Sequence, residues 1–426
     1  MNTSALNIDV SPATNIAPLS AFQGCGLEIE YMIVDRTTGA VRPIADQLLC
    51  SGLSNTSDAG SKRESLAWSN ELVSHVIELK NTRPIANLRR LREGFQNEVR
   101  AMNRRLESFN ACLMPTGMHP SMNAQLETCL WTKSDRQIYD SYQRIFDCKT
   151  PGWANLQSLH INLPFADDKE FARLHAAIRL MLPILPALAA SSPILNGAST
   201  GFMDYRLEAY RNNARIIPSI TGHVIPETVS SRVEYETMIL APMYREISPF
   251  DPDAILQHEW LNSRGAIARF DRNAIEIRLI DVQECPYVDV AIAALTADLV
   301  KALYDQHLAP FTTQQFMETK ALEHILLACI QDAELAVIDN PAYLALLGYP
   351  ASSCTAGELW RHIGGYLLKM PGSHSELWTD PLSMILRHGP LARRIVRAVG
   401  WGCSPERLRA VYRQLSECLQ QGGMFI

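Results

Sequence analysis

Four short stretches of the sequence alternate strictly between apolar residues and charged or metal-binding ones. They are Gly26-Leu27-Glu28-Ile29-Glu30-Tyr31, His75-Val76-Ile77-Glu78-Leu79-Lys80, Leu159-His160-Ile161-Asn162-Leu163 and Ile275-Glu276-Ile277-Arg278-Leu279. On a β-strand successive side chains point to opposite faces, so Glu28 shares a face with Glu30, and Glu276 with Arg278. Leu27, Ile29, Ile77, Leu79, Leu159, Ile161, Ile275, Ile277 and Leu279 then form the core-packing face. The other face collects Glu28, Glu30, Glu78, His160, Glu276 and Arg278, where an ordinary solvated face would mix Lys, Thr, Ser and Glu. Joined in one antiparallel sheet, these strands form a concave acidic wall suited to divalent cations and a polyphosphate. An enzyme is expected.

Two carboxylates on one strand face stand about 7 Å apart, far enough to serve different metal ions and near enough to share a cluster. Hard oxygen ligands of this kind suit Mg²⁺ or Mn²⁺ bound together with substrate phosphates. The bland alternative is an acidic strand face turned to solvent, and the second pattern at Glu276-x-Arg278 weighs against it. There the carboxylate can hold metal while the guanidinium forks onto a phosphoryl group. A histidine on a central apolar strand is by itself more often a satisfied core residue. His160, sharing its face with Ser158 and Asn162, points instead to a metal or nucleotide contact. Glu71 lies seven residues before Glu78. It therefore falls on the opposite face of a regular strand and joins the wall only through a bulge or a strand end. The segment from Asp204 to Asn212 carries Arg206, Arg211 and two tyrosines, and reads either as an anion-binding loop or as a solvated one.

The chain is 426 residues long, with 47% apolar and 20% charged residues, the balance of a globular protein with a large core. A net charge of −6 gives no general attraction to nucleic acid or to an anionic membrane, so phosphate must be met locally. Ten scattered cysteines without a Cys-x-x-Cys or zinc spacing read as reduced thiols. The first twenty residues lack a basic and an apolar region of a secretory signal, and the most apolar segment, 176–190, is short and carries Pro183 and Pro186. A soluble cytoplasmic protein is expected. There is no Gly-x-x-x-x-Gly-Lys-Ser/Thr loop, no complete Gly-x-Gly-x-x-Gly fingerprint and no His-Glu-x-x-His helix. Phosphate binding is thus left to metals and arginines.

Residues 43–63, rich in Ser, Gly, Asn and Asp, read as a loop or lid. Apolar residues at three- and four-residue steps predict an amphipathic helix over 85–110. Further helices are expected at 136–147, at 168–190 with a break at its prolines, and at 286–307. A short strand is expected at 112–115, a helix or strand at 234–243, and a hairpin over 266–281 around Asp271-Arg272. From Pro310 onward nearly everything reads as helical. Strands and helices do not alternate as βαβ, so the expected fold class is α+β with a mainly antiparallel curved sheet. The expected divisions are a flexible tail over 1–20, a catalytic α+β body over 21–308, and a helical part over 309–426 packed on that body.

These residues resemble glutamate–cysteine ligase family 2. Gly-Leu-Glu-Ile-Glu-Tyr at 26–31, Glu71 through Glu78-Leu79, Gly117-Met118-His119-Pro120, Leu159-His160-Ile161-Asn162, Arg206 with Arg211, and Ala274-Ile275-Glu276-Ile277-Arg278-Leu279-Ile280-Asp281 recur in the family's order. The similarity runs from about Phe22 to Asp305. Ser158 stands where some relatives carry a second histidine. The resemblance implies a glutamine-synthetase-like sheet cradling ATP and two or three Mg²⁺ ions. It implies that Glu28, Glu30, Glu78 and Glu276 ligate metal, with Glu78 and Arg278 in the catalytic set. His160 is implied at metal or nucleotide, Arg278 at the phosphoryl group, Arg206 and Arg211 at the substrate carboxylate or phosphate, and Arg264 as a further candidate there. The implied reaction passes the γ-phosphoryl group of ATP to the side-chain carboxylate of glutamate, and an amine such as cysteine then attacks the acyl phosphate. Two other readings stay open, a guanidino or amine kinase on the same fold and an inactive relative that senses nucleotide or glutamate. The partners implied are small molecules, not nucleic acid or membrane, with a homo-oligomer left open.

Overall fold

The four alternating stretches pair with one another in a single sheet. The computed structural model describes residues 18–49, 66–400 and 402–426. Its main sheet contains β1 (Gly26–Asp35), β2 (Leu66–Asn70), β3 (Val76–Asn81), β4 (Ala111–Met114), β5 (Ser158–Pro164), β6 (Ala266–Arg269) and β7 (Ala274–Asp281). The strand order is β2-β3-β1-β5-β7-β6, with β4 paired to the far half of β1, and every pairing is antiparallel. The fold is α+β with a mainly antiparallel sheet.

Register follows from the alternation. Glu28 lies opposite Lys80 on β3 and His160 on β5, Glu30 opposite Glu78, and Asn162 opposite Glu276. The ladder between β5 and β7 slips at His160, since Leu159 pairs with Ile280 while Ile161 pairs with Ile277. Two residues of β7, Arg278 and Leu279, therefore face one of β5, which is a β-bulge. Past the bulge the parity of β7 reverses, and Asp281 comes to lie opposite Ser158.

The apolar face is completely buried: Leu27, Ile29, Ile77, Leu79, Leu159, Ile161, Ile275 and Ile277 are all inaccessible to solvent. Each such side chain contributes about 1.5–3 kcal/mol through burial. Helix α1 (Leu88–Leu106) packs on this face through Leu88, Leu91, Phe95, Val99, Met102 and Leu106, the spacing that predicted it. Asn87 caps it by accepting the Arg90 N–H. Next come α2 (Arg136–Phe146) and α3 (Asp168–Met181). The apolar run after α3 breaks where expected, into a 3₁₀ turn at Leu182–Ile184 and a short helix at Pro186–Ala189. The segment around Arg206 is a helix rather than a loop, α4 (Tyr205–Tyr210), started by Asp204 accepting the Leu207 N–H. Residues 232–247 are helical throughout. Ala45–Leu49 forms a short helix at the start of the expected lid, whose remainder from residue 50 lies outside the described residues, as does the expected tail up to residue 17.

Helix α5 (Pro286–Tyr304) runs beneath the sheet and is buried almost all round. The chain beyond it is helical apart from a small strand pair at Val337–Ile338 and Cys354–Thr355. It includes α6 (Ala356–Leu367), α7 (Leu391–Val399) and α8 (Pro405–Gln421). Buried polar bonds tie these helices to the body. Trp360 Nε1 donates to the Ile184 carbonyl and Tyr343 Oη to the Leu180 carbonyl, both at 2.7 Å. Arg394 on α7 pairs with the fully buried Glu284 at 2.5 Å. No helix among the described residues is long and apolar enough to cross a membrane.

This packing sets an expectation for truncation. Ending the chain after His307 uncovers the surfaces that Trp360, Trp378 and Tyr343 bury and leaves Glu284 unpaired. The truncate is expected to partition into the insoluble fraction and to bind a hydrophobic dye. A soluble monomer with cooperative thermal unfolding would show the helical part to be a separate module.

Candidate active site

Antiparallel pairing turns the charged face into a crowded set of oxygens. Glu30, Glu78 and Glu276 are all less than 9% exposed. One oxygen each from Glu30, Glu71 and Glu78 lie within 4.8 Å of one another, and so do ligand atoms of Glu28, Glu78 and His160. Glu78 belongs to both groups and can bridge two cations. Glu71 follows the last residue of β2, so it joins the wall from a strand end, one of the two routes its spacing from Glu78 permits. It was left out of the site set read from sequence.

Buried like charges at this spacing displace the proton equilibria. Burial, then the charges of Glu78 and Glu30, push the Glu71 carboxyl well above the usual carboxylate range. Burial and the charge of Glu28 raise Glu78 to about 7, against the opposing pull of Lys80. Glu28 moves the other way. Burial raises it, but the hydrogen bond and charge of His160 outweigh burial and hold it well below its ordinary value. The His160 ring is 3.6 Å from Glu28, 3.8 Å from Glu30 and 3.9 Å from Glu276. Burial opposes its protonation, but the hydrogen bond to Glu28 and the charges of Glu30 and Glu276 raise its pKa. These carboxylates thus favour the charged form of the ring.

The remaining partners fix directions. Ser158 donates to Glu30 Oε2 from its N–H (2.7 Å) and its hydroxyl (3.0 Å), and its hydroxyl also lies 2.8 Å from His160 Nε2. Glu78 Oε1 accepts from Lys80 (2.6 Å) and Ser69 (2.8 Å), and Asn162 donates to Glu28 (3.1 Å). Glu276 sits between two guanidiniums, Arg278 at 3.0 Å and Arg269 at 3.3 Å, and belongs to neither group of converging ligand atoms. Arg278 also donates to the Asn262 carbonyl. Tyr210 and Tyr142 lie beside Arg278, and Tyr142 touches Trp153 and Trp260 at centroid distances of 5.3 and 6.0 Å. Lys80 was legible two residues after Glu78. Ser158 and Tyr210 were noted in the sequence without a role, whereas Arg269, Tyr142, Trp153 and Trp260 carry no sequence signal that separates them from ordinary residues.

The three arginines assigned to anion binding are placed differently from Arg278. Arg206 is 2% exposed; its Nε pairs with the fully buried Asp281 and its Nη2 donates to the Leu279 carbonyl. Arg264 forks onto Glu227 at 2.6 and 2.7 Å and donates to the Ser219 carbonyl. Arg211 lies half-buried and pairs with Glu208 at 2.6 Å. None of the three has an ion pair with Glu28, Glu30, Glu78 or Glu276. A helix start at Asp204 and a bulge in β7 aim Arg206 into the interior, and neither shows in the residue pattern.

The donor set fits hard divalent cations. Four converging carboxylates and an imidazole, with Lys80 as the compensating cation beside Glu78, offer oxygen ligands whose mutual repulsion a bound Mg²⁺ or Mn²⁺ relieves.

Residues 25–327 match the family model described as glutamate-cysteine ligase family 2. An uncharacterised protein of Archaeoglobus fulgidus is 38% identical over 277 residues, covering 65% of this chain and 74% of that protein. A protein of Bradyrhizobium diazoefficiens, provisionally named glutamate–cysteine ligase 2, is 28% identical over 297 residues, covering 68% of this chain and 61% of its own length. Among solved structures, the glutamate–cysteine ligase of Francisella tularensis in complex with AMP superposes with a TM-score of 0.58 at 15% identity, covering 93% of this chain and 88% of that one. A bifunctional glutathione synthetase from Pasteurella multocida gives a TM-score of 0.53 at 15% identity, covering 94% of this chain and 52% of that one. At such identity the structures show a shared fold.

The raised carboxyls imply a pH-dependent site. Below about 7 Glu78 holds a proton that a cation must displace, and above it the carboxylate is free. Mn²⁺ affinity is therefore expected to fall by up to about tenfold per pH unit below that point for each proton displaced. Titration of Mn²⁺ by electron paramagnetic resonance from pH 8 to pH 5.5 measures this, and Glu78→Gln should flatten the slope. A pH-independent affinity would remove Glu78 from the ligand set.

Proposed function

The chain belongs to glutamate–cysteine ligase family 2, and on that premise we propose an ATP- and Mg²⁺-dependent carboxylate–amine ligase that activates the γ-carboxylate of glutamate. The observation that carries this reading is the pair of ligand groups sharing Glu78 on a single sheet face, with Arg278 beside them. The Francisella enzyme's complex with AMP supports a nucleotide as co-substrate on this fold.

Glu28, Glu30, Glu71 and Glu78 hold the cations, with His160 as a nitrogen ligand once its proton leaves. When bound, Mg²⁺ neutralises phosphate charge and orients the terminal phosphoryl group. Glu276 holds Arg278 at the edge of the wall and becomes available to a cation when Arg278 turns to phosphate. The Arg278 guanidinium donates two N–H groups to the transferring phosphoryl oxygens, which carry more charge in the transition state than before it. Ser158 and Asn162 fix the carboxylates of Glu30 and Glu28, so little reorganisation is needed as charge develops. Tyr142, Trp153, Trp260 and Tyr210 exclude water beside Arg278, which protects an acyl phosphate from hydrolysis. Arg206 acts from behind by fixing the β7 bulge that aims Arg278, while Arg211 lies nearer the rim.

In the proposed reaction a glutamate carboxylate oxygen attacks the γ-phosphorus of ATP and ADP leaves. The amine then attacks the acyl carbon, phosphate departs, and the amine gives up a proton. Cysteine is the amine implied by the family. Glutamate, ATP and Mg²⁺ with hydroxylamine as acceptor should yield γ-glutamyl hydroxamate with stoichiometric ADP and phosphate. AMP and pyrophosphate would overturn the reading, and ADP with a phosphorylated amine would make the protein a kinase. Arg278→Lys keeps the charge and loses the fork. Its kcat is expected to fall at least about tenfold, equivalent to about 1.4 kcal/mol of transition-state stabilisation, with KM for ATP changing less. An unchanged kcat would leave Arg278 as a structural partner of Glu276.

A further inference from the structure

A cavity of about 1120 Å³ lies against the far half of β1 and shares no lining residue with the acidic wall. Its floor is apolar, formed by Val34, Met114, Leu408 and Tyr412, and each of these side chains is at most 5% exposed. One wall is the turn after Asp35, another is the loop around His119, and α8 closes the third side. The segment matching the family model ends at residue 327, so the α8 wall is built by chain outside that segment.

The charges on its rim are unevenly committed. Asp35 accepts from the Thr37 and Thr38 N–H groups and the Thr38 hydroxyl, and pairs with Arg42 at 3.3 Å. Glu127 accepts the Asn123 N–H at 2.7 Å, and Glu107 lies 3.9 Å from Arg36. Two cations have no such partner. Lys149 makes no ion pair or hydrogen bond among the described residues, and Arg413 donates only to the Thr37 carbonyl, at 3.4 Å. Glu417, also on the rim, is exposed and pairs with neither. Uncommitted donors above an apolar floor complement a molecule with an anionic head and an apolar body.

We propose that this cavity is a second ligand site, for a small organic anion whose carboxylate or phosphate meets Lys149 and Arg413 and whose apolar body covers the floor. The site has a route to the acidic wall. His119 lines the cavity, and its backbone N–H and carbonyl clasp the Asn155 side chain at 2.7 and 2.9 Å. Two residues on, the Gln157 N–H donates to the Gly117 carbonyl at 2.9 Å, and the next residue, Ser158, holds Glu30 and His160. An occupant that shifts the loop at His119 therefore shifts the start of β5. Only this coupling rests on the metal site proposed above; binding itself stands on the cavity alone.

The test uses the full chain and 1-anilinonaphthalene-8-sulfonate, an anion with an apolar body, read by fluorescence. Saturable binding at a single site is expected, with phenylacetate and phenyl phosphate as competitors to separate a carboxylate from a phosphate head. Lys149→Glu should weaken binding at least about tenfold, and Ser121→Trp, which fills the mouth from an exposed position, should abolish it, both with unchanged thermal unfolding. A competitor at saturation should also change Mn²⁺ affinity at the acidic wall, a readout that does not need ligase activity. Dye binding unaltered in both variants, or displaced by neither competitor, would overturn the site. Displacement without any change in Mn²⁺ affinity would overturn the coupling.

Discussion

Mutual repulsion among carboxylates on one face of a sheet is the constraint around which this protein is arranged. Two like charges 4.8 Å apart at an effective dielectric of about 20 repel by about 3.5 kcal/mol. Together with burial, repulsion of that order is enough to carry Glu78 from near 4.5 to about 7. Few folded domains can hold several such contacts against a total stability of about 5–15 kcal/mol. The wall is tolerated because its compensation is local. Lys80 serves Glu78, the His160 ring lies among Glu28, Glu30 and Glu276, and Arg278 with Arg269 brackets Glu276. Each of these cations shares a strand or a neighbouring strand with the acid it serves. The repulsion that remains lies at Glu71 and Glu78, whose carboxyls are both pushed above the usual carboxylate range.

Geometry depends on a single irregularity. Without the bulge opposite His160, Asp281 would point to the apolar face, by the parity of Ile277 and Leu279. With it, Asp281 lies on the functional side and becomes an acceptor hub for the Ser191 N–H (2.8 Å), the Ser192 hydroxyl (2.7 Å) and Arg206. Gly117 packs directly on it, where an added Cβ would sit 2.4 Å from the carboxyl carbon. Any side chain at 117 would push the hub apart. Breaking a buried pair such as Arg206–Asp281 costs about 3–5 kcal/mol, because the surviving charge is stranded. This hub holds the loop after β4, helix α4 and the end of β7 in one arrangement, and so sets where Arg278 points.

The alternation in four short stretches was enough to read the strands and, once they are joined in one sheet, the shared face of Glu28, Glu30, Glu78, His160, Glu276 and Arg278, while the antiparallel class was read from the lack of a βαβ alternation. A period of two carries that information directly. The long helices were legible for the same reason, since Leu88 to Leu106 repeats at the helical period, and Pro183 and Pro186 interrupt 168–190 where they must. What was not legible depends on tertiary packing. Arg206, Arg211 and Arg264 look like anion binders because arginine near tyrosine and asparagine suits that task, but their partners Asp281, Glu208 and Glu227 are settled by the bulge and by helix positions. Glu71 was weighed and left out because seven residues from Glu78 put it on the opposite face of a regular strand, and only the end of β2 at Asn70 brings it to the wall. The cavity beside α8 has no sequence signature, for it exists only where several distant segments meet.

The same strand also explains why the body and the helical part belong together. Along β1 the functional face reads Glu28, Glu30, then Met32 and Val34, so one side of a single strand changes from acidic to apolar at its middle. The acidic half carries two of the converging carboxylates, whereas Met32 and Val34 are at most 3% exposed. They are covered by a second core that contains Leu391 and Ile395 of α7 with Leu408, Tyr412 and Leu415 of α8. A sheet whose two ends need opposite solvents cannot be finished by helices on its other face. The covering has to come round to the functional face and stop before Glu30, and the turn at 35–40, the loop at His119 and α8 mark that boundary. A cavity at this seam follows from the geometry, because helices placed to cover Met32 and Val34 without crowding Glu30 do not close completely on the strand.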